Sequence, residues 1–383
     1  MNPKIQGKGR RFQKLFIFLI PGLALFSYLL ADKILIIDPV RTTLASYRPY
    51  DAAFASLIHN DDLTELEYVK ARKVFLAAGT SRSMNFSGYP NLGYTLKDPF
   101  LTPEAREILK DWEGVSIGMQ GASMSLIYVR LLQAIERGWK PDLVLVEVTK
   151  DSFSDRRKFK EFLKQNVIPL DYGFSHWREL GLENLWEITY PRIFLAYKYR
   201  FSPKNLITYI KGDDLGWGAL MIEEMERGSM GGGKHSYSKK HREEVENRKF
   251  EDYNNPDASL GEVYRNQFVK RRELADEEQG GQPFRVDQSE YDAFVKIIRL
   301  LQDKKIPALY WSAKVHRILQ SFTNDEASKK EFKTKIEDTL KSYGERYLDA
   351  NEFPMKCNYY QDANHLSERC YTELASFLLK DIR

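Results

Sequence analysis

Seventeen consecutive uncharged residues, Leu15 to Ala31, stand directly behind five cations, Lys4, Lys8, Arg10, Arg11 and Lys14, with no acid among them. This stretch constrains everything after it, because it decides on which side of a membrane the remaining chain folds. At 1.5 Å per residue the run spans about 25 Å, near the short limit for a bilayer core. Ile34, Leu35, Ile36 and Ile37 carry the apolar character past Asp32 and Lys33. A buried core helix, a cleaved signal peptide and an uncleaved signal anchor compete for such a segment. Five bare cations do not suit the opening of a core helix. The end of the run, Ser27-Tyr28-Leu29-Leu30-Ala31, is bulky where signal cleavage needs small residues, and no Cys follows it directly for lipidation. Pro21-Gly22 is tolerable inside a membrane helix. The expectation is a cytoplasmic basic stub over 1–14, a signal-anchor transmembrane helix over 15–37, a linker over 38–70, and an exported α/β domain over 71–383.

The stub also accounts for the charge. Without its five cations the formal net charge of +4 becomes −1, so the body is close to neutral and nucleic acid is not expected as a partner. Apolar residues make up 43% of the chain, with 22 Phe and 22 Tyr, which excludes a disordered chain. A mean hydropathy of −0.50 excludes a multi-spanning membrane protein.

From about Lys73 short apolar runs alternate with amphipathic stretches. Val74 to Ala78 reads as a buried strand ended by Gly79, and Val115 to Ile117 as a weaker one before the turn Gly118-Met119-Gln120-Gly121. Leu126, Val129, Leu132 and Ile135 have helical spacing within Ser125 to Arg137. Pro141 to Val148 is the clearest strand. Tyr291 to Leu301 followed by Ile306 to Trp311 repeats the helix–strand unit, and Tyr347 to Asp349 followed by a terminal helix over Glu368 to Leu379 gives the last. Strand, helix, strand in this order predicts a parallel sheet with helices on both faces. The stretch over about 212–283, with Gly231-Gly232-Gly233 and mixed charges, reads as an insertion or lid, helical around Leu260 to Leu274. Trp186 to Tyr199 is expected to pack that lid onto the core.

Two segments bring reactive residues to the carboxyl end of a strand or to a late loop. In Gly79-Thr80-Ser81-Arg82-Ser83 a glycine turns the chain off a strand and a serine follows at a helix start, which exposes a hydroxyl near helix-end N–H groups. The same pattern serves if Ser81 or Ser83 is only a helix cap. The second is Asp362-Ala363-Asn364-His365. A serine nucleophile needs an imidazole to take its proton, and the imidazole needs a carboxylate to set its tautomer, so Ser81, His365 and Asp362 form a candidate triad.

Together these segments resemble the first and last sequence blocks of the SGNH, or GDSL-type, hydrolase superfamily: a strand followed by Gly-Asp-Ser, and Asp-x-x-His ahead of the terminal helix. Gly118-Met119-Gln120-Gly121-Ala122-Ser123 resembles the block whose glycine N–H joins the oxyanion hole, which carries Gly121 into that role beside the Ser81 N–H. Thr80 stands where the family has Asp, and Lys150 in Val148-Thr149-Lys150-Asp151 where it has the Asn of its third block. The departures and the anchor are similar to the membrane-anchored envelope branch of the family, including the alginate O-acetylation and teichoic-acid D-alanylation proteins. The resemblance implies a three-layer α/β/α fold with a flavodoxin-like parallel sheet, and a serine esterase or O-acyltransferase acting on an envelope polysaccharide or acylated glycan. It implies a single-pass protein of the bacterial inner membrane with its domain in the periplasm, working with a membrane-bound acyltransferase. A non-catalytic SGNH-fold protein that binds polysaccharide or such a partner is the alternative.

Arg82, Glu147 and Asp151 lie near the expected site mouth; substrate binding competes with helix-surface pairing for Arg82 and with strand-end capping for the two acids. Cys357 and Cys370 bracket Asp362 and His365, as a disulfide in an oxidising compartment or as free thiols. His59, His176, His235, His241 and His316 lack metal-ligand spacing, and neither Gly-x-x-x-x-Gly-Lys-Ser/Thr nor Gly-x-Gly-x-x-Gly after a strand occurs, so neither metal nor cofactor is expected.

Overall fold

The computed structural model describes residues 6–34, 72–86, 92–119, 121–153, 168–198, 211, 286–316, 326–362, 365–380 and 382. In chain order the strands are β1 Lys73–Ala78, β2 Trp112–Ser116, β3 Leu143–Glu147, β4 Ala308–Ser312, β5 Tyr347–Asp349, β6 Tyr360–Asp362 and β7 His365–Leu366. The helices are α1 Gln6–Lys33, α2 Ser81–Met84, α3 Leu92–Lys97, α4 Pro103–Leu109, α5 Met124–Glu136, α6 Leu170–Ser175, α7 Trp177–Leu180, α8 Leu182–Ile193, α9 Leu195–Lys198, α10 Gln288–Asp303, α11 Glu326–Ser342 and α12 Tyr371–Leu379. They fall into two compact units, one within Met1–His59 and Lys164–Gly233, the other within Asn60–Leu163 and Lys234–Arg383.

The second unit is built on a five-stranded sheet of order β2-β1-β3-β4-β5, parallel throughout. Parallel strands covered on both faces read as continuous apolar runs, which is why β1 and β3 are legible in the sequence. Alternate residues point to opposite faces. Phe75, Ala77, Leu143, Leu145, Leu309 and Trp311 share one cluster with Leu109 of α4 and Tyr371, Leu374 and Leu378 of α12. From the opposite face Tyr310 meets Phe294 of α10 edge-on at 5.7 Å. α10 packs on α5, and the buried Glu290 of α10 accepts both the Ser125 N–H at 2.7 Å and the Ser125 hydroxyl at 2.8 Å. The parallel α/β architecture expected from the sequence is therefore present. The insertion over 212–283 and the linker over 38–70 lie outside the described residues.

Three helices of this unit, α3, α4 and α11, have no counterpart in the sequence reading. α11 is strongly charged, and among its described side chains the buried apolar ones are Phe332, Ile336 and Leu340, spaced four apart, with Thr339 buried beside them. So narrow a stripe gives little periodic signal against Lys- and Glu-rich surroundings.

Asp98, fully buried, has its carboxyl pushed up to about 7. Burial is the largest cause; the Phe100 N–H opposes it, the nearby Glu373 adds to it, and Arg106 and Arg369 oppose it. Between the ordinary 3.8 and about 7 the unfolded chain ionises this group while the folded chain does not. Its contribution to stability is thus present below 3.8 and lost as the pH rises to about 7. Urea titrations at the two ends of that window should show the unfolding free energy of the wild type falling with pH relative to that of Asp98→Asn. Equal slopes in the two proteins would sink the assignment.

In the first unit α1 is one helix of 28 residues that passes through Pro21. It begins inside the expected stub rather than at Leu15, since extending a helix is easier than nucleating one. Among the described residues no helix is long and apolar enough to cross a membrane, so the transmembrane helix over 15–37 is not supported; the side chains described on α1 begin at Leu19. The lid that Trp186 to Tyr199 was expected to pack onto the core lies outside the described residues, as does Tyr199. Helices α8 and α9 cluster with α1, where Asp32 accepts the N–H groups of Leu195 at 2.8 Å and Ala196 at 2.6 Å and so caps α9.

Candidate functional site

The sheet reverses its winding between β1 and β3: from β1 the chain goes outward to β2, then returns to β3 on the other side. In open α/β sheets the loops leaving such a switch point splay apart and leave a crevice beyond the carboxyl ends of the strands. The loop after β1 carries Ser81 and the loop after β3 carries Lys150 and Asp151.

The turn after β1 is unusually tight. A Cβ on Gly79 would lie 2.4 Å from the Glu147 Cβ and 2.3 Å from the Ser83 hydroxyl, so no larger residue fits without displacing both. A Cβ on Gly118 would lie 2.9 Å from the Thr80 carbonyl oxygen. These two glycines let the loops after β1 and β2 pack backbone to backbone, with the Met119 N–H donating to the Gly79 carbonyl at 2.9 Å. Thr80, not Ser81 or Ser83, is the residue ahead of α2, and its hydroxyl accepts from the Arg82 N–H. Ser81 is left as the first residue of the helix, with its hydroxyl not used as a cap.

That hydroxyl meets His365: Ser81 Oγ lies 2.7 Å from His365 Nε2. The two are 284 residues apart in the chain. His365 sits on β7, which pairs antiparallel with β6 and places Asp362 opposite His365 in register. The Asp362 side chain lies outside the described residues. The hairpin is tied at its base, where the Ser367 N–H donates to the Tyr359 carbonyl at 2.8 Å, and Cys357 and Cys370 form a disulfide around it. Closing a loop of this size stabilises by about 3 kcal/mol. The bridge therefore holds the His365 loop against the start of α12.

Glu147 was expected to bind substrate hydroxyls or to cap and solvate the strand end, but its carboxylate is turned inward, away from solvent. It is fully buried. Its Oε2 accepts the Thr80 N–H at 2.9 Å and the Ser83 hydroxyl at 2.8 Å, and its Oε1 accepts the Thr80 hydroxyl at 2.6 Å. Arg82 Nε lies 3.1 Å from Oε1. The carboxylate at the end of β3 thus holds the residues on both sides of Ser81, and no oxygen is left facing a ligand. Arg82 is engaged by this contact and by Asp151 at 3.9 Å, so the site-mouth cation pairs within the loops. Asp151 itself is more than half exposed. From the other side the Tyr371 hydroxyl donates to the Arg82 carbonyl at 2.6 Å.

The sequence did not disclose the positioning roles of Glu147, Thr80 and Tyr371. Glu147 left one signal, an acid directly ending a fully apolar parallel strand; Tyr371 left none. Gly121 lies two residues beyond the anchored Met119, in left-handed backbone at φ +70°. Among the described residues no group of three or more His, Cys, Asp or Glu is placed to hold a metal ion.

Fold and site together define a parallel α/β protein with a serine–histidine pair where the sheet reverses its winding. The chain belongs to the family described as protein of unknown function DUF1574, whose profile matches residues 12–382. No match was found among curated proteins.

Proposed function

We propose that the sheet unit is an SGNH-type serine esterase or O-acyltransferase, carried on an exported chain that α1 attaches to the membrane. The observation that carries the reading is the 2.7 Å contact between Ser81 Oγ and His365 Nε2 at the carboxyl end of the sheet. A serine hydroxyl is a poor nucleophile until a base accepts its proton, and an imidazole nitrogen at this distance is in place to do so. His365 takes the Ser81 proton as Oγ attacks an ester carbonyl, and the N–H groups of Ser81 and Gly121 hold the oxyanion. Collapse expels the alcohol, which takes the proton from His365, and leaves Ser81 acylated. Water or a sugar hydroxyl then gives its proton to His365 and attacks the acyl group, and collapse breaks the bond to Ser81 Oγ, which takes the proton back from His365 as acid or a new ester is released. Asp362 is assigned to orient His365, as the Asp-x-x-His spacing and the pairing of Asp362 with His365 in the hairpin allow.

Glu147 fills a role that the Thr80 departure left open: the Thr80 side chain and Glu147 together fix the turn that the usual Gly-Asp-Ser block forms. The Cys357–Cys370 disulfide suits an oxidising compartment, which supports export to the periplasmic side. The substrate class proposed with this topology is an acylated envelope polysaccharide, with a membrane-bound acyltransferase as donor partner. Purified folded protein should be labelled by a fluorophosphonate probe at Ser81, and Ser81→Ala should remove the label. An unlabelled wild type would favour instead the non-catalytic, polysaccharide-binding reading, to which Lys150 in the turn after β3 points, since no amide side chain there completes the oxyanion site.

A further inference from the structure

Among the described residues the first unit exposes large apolar side chains in a pattern that the sheet unit does not repeat. On α8, Leu182 is 69% exposed, Trp186 60% and Ile193 44%. At 100° per residue these three fall within about 40° of one another around the helix, a single stripe. Phe174 of α6 and Trp177 of α7 are exposed beside them in sequence, and the Arg178 guanidinium lies over the Trp177 ring at 5.3 Å.

The stripe is continuous with α1. Trp186 contacts Tyr190 at 5.1 Å between ring centroids, Tyr190 contacts Phe194 at 4.7 Å, and Phe194 contacts Tyr28 of α1 at 6.3 Å. Asp32, capping α9, and the Lys33 ammonium, donating to the Ile193 carbonyl, fix the same junction. The aromatic ladder therefore reaches α1 three residues before its uncharged run ends at Ala31.

We infer that α6–α8 form an aromatic collar that lies in the membrane–water interface around the end of α1, with the lipid surface as its partner; the inference rests on α1 being the membrane attachment. Two observations select lipid over a protein partner. Leu19, Ile20, Leu23, Leu25, Phe26 and Leu30 are exposed and spread over most of the circumference of α1, whereas a protein partner covers one face. Trp and Tyr, with an apolar body and a polar edge, concentrate where an apolar segment gives way to charge, and here Asp32 and Lys33 mark that depth. The collar would fix the orientation of the first unit at the surface, a constraint that a single flexible tether does not supply.

The test uses the full chain reconstituted into vesicles of phosphatidylcholine and phosphatidylglycerol, with acyl chains brominated near the headgroup or left unbrominated. Two of the six tryptophans belong to the collar, so bromination should remove about a third of the tryptophan emission. That loss should be absent in Trp177→Phe/Trp186→Phe. Vesicle flotation with no quenching, or with quenching unchanged in the double variant, would overturn the collar while leaving the attachment through α1 intact. Protection of the two tryptophans from aqueous acrylamide without bromine quenching would assign the face to a protein partner and also overturn it. Failure of the chain to float with vesicles would remove both the collar and the attachment.

Discussion

Replacing His365 by Ala is expected to lower hydrolysis of an activated aryl acetate by about 10⁴–10⁶-fold, the usual cost of removing the base from a serine–base pair. The reason is local. Ser81 Oγ has His365 Nε2 at 2.7 Å, and without that nitrogen the proton on Oγ has no acceptor placed for it as the new bond forms. His365 is only partly buried and sits on a two-residue strand. Its removal should therefore change the unfolding free energy by no more than about 1 kcal/mol. Activity would be measured by initial rates and stability by urea denaturation of the same preparations. A variant that keeps most of the wild-type rate would show that the contact is structural, and the enzymatic reading would fall with it.

Glu147→Ala should have the largest effect on stability, about 3–5 kcal/mol, because it strips a buried carboxylate from partners that cannot all be rehydrated. The Thr80 N–H, the Thr80 and Ser83 hydroxyls and the Arg82 guanidinium all converge on this one group. Glu147→Gln keeps the volume but turns one acceptor into a donor facing an N–H or a hydroxyl, so a smaller loss of about 1–3 kcal/mol is expected. Both variants should also label more slowly with a fluorophosphonate at temperatures where they remain folded, since the turn that presents Ser81 is no longer held from β3. An unchanged urea midpoint for Glu147→Ala would show that the turn is rigid without the carboxylate.

Some of this arrangement could be read directly from the chain. The runs Val74–Ala78 and Leu143–Val146 are apolar because helices cover both faces of a parallel sheet, and the break at Gly79 marks where the first strand must turn. Ser81 and His365 are visible as candidates because their neighbours form a turn off a strand and a short Asp-x-x-His loop. The charged α11 escaped notice, and so did the separation of Trp186 to Ile193 from the sheet unit. Both depend on which neighbour covers a face, and a linear pattern does not name that neighbour. Tyr371 is the clearest case: nothing near it in sequence indicates that its hydroxyl reaches the carbonyl of Arg82.

The alternation of strands and helices, the reactive residue types and the charged stub ahead of an apolar run are legible in the chain because each is a property of consecutive residues. That Ser81 and His365 touch across 284 positions, that Cys357 and Cys370 are joined, and that Glu147 faces inward to the turn carrying Ser81 follow from the folded arrangement alone. Contacts of that range depend on strand order, and strand order is set by how the whole sheet buries its two faces.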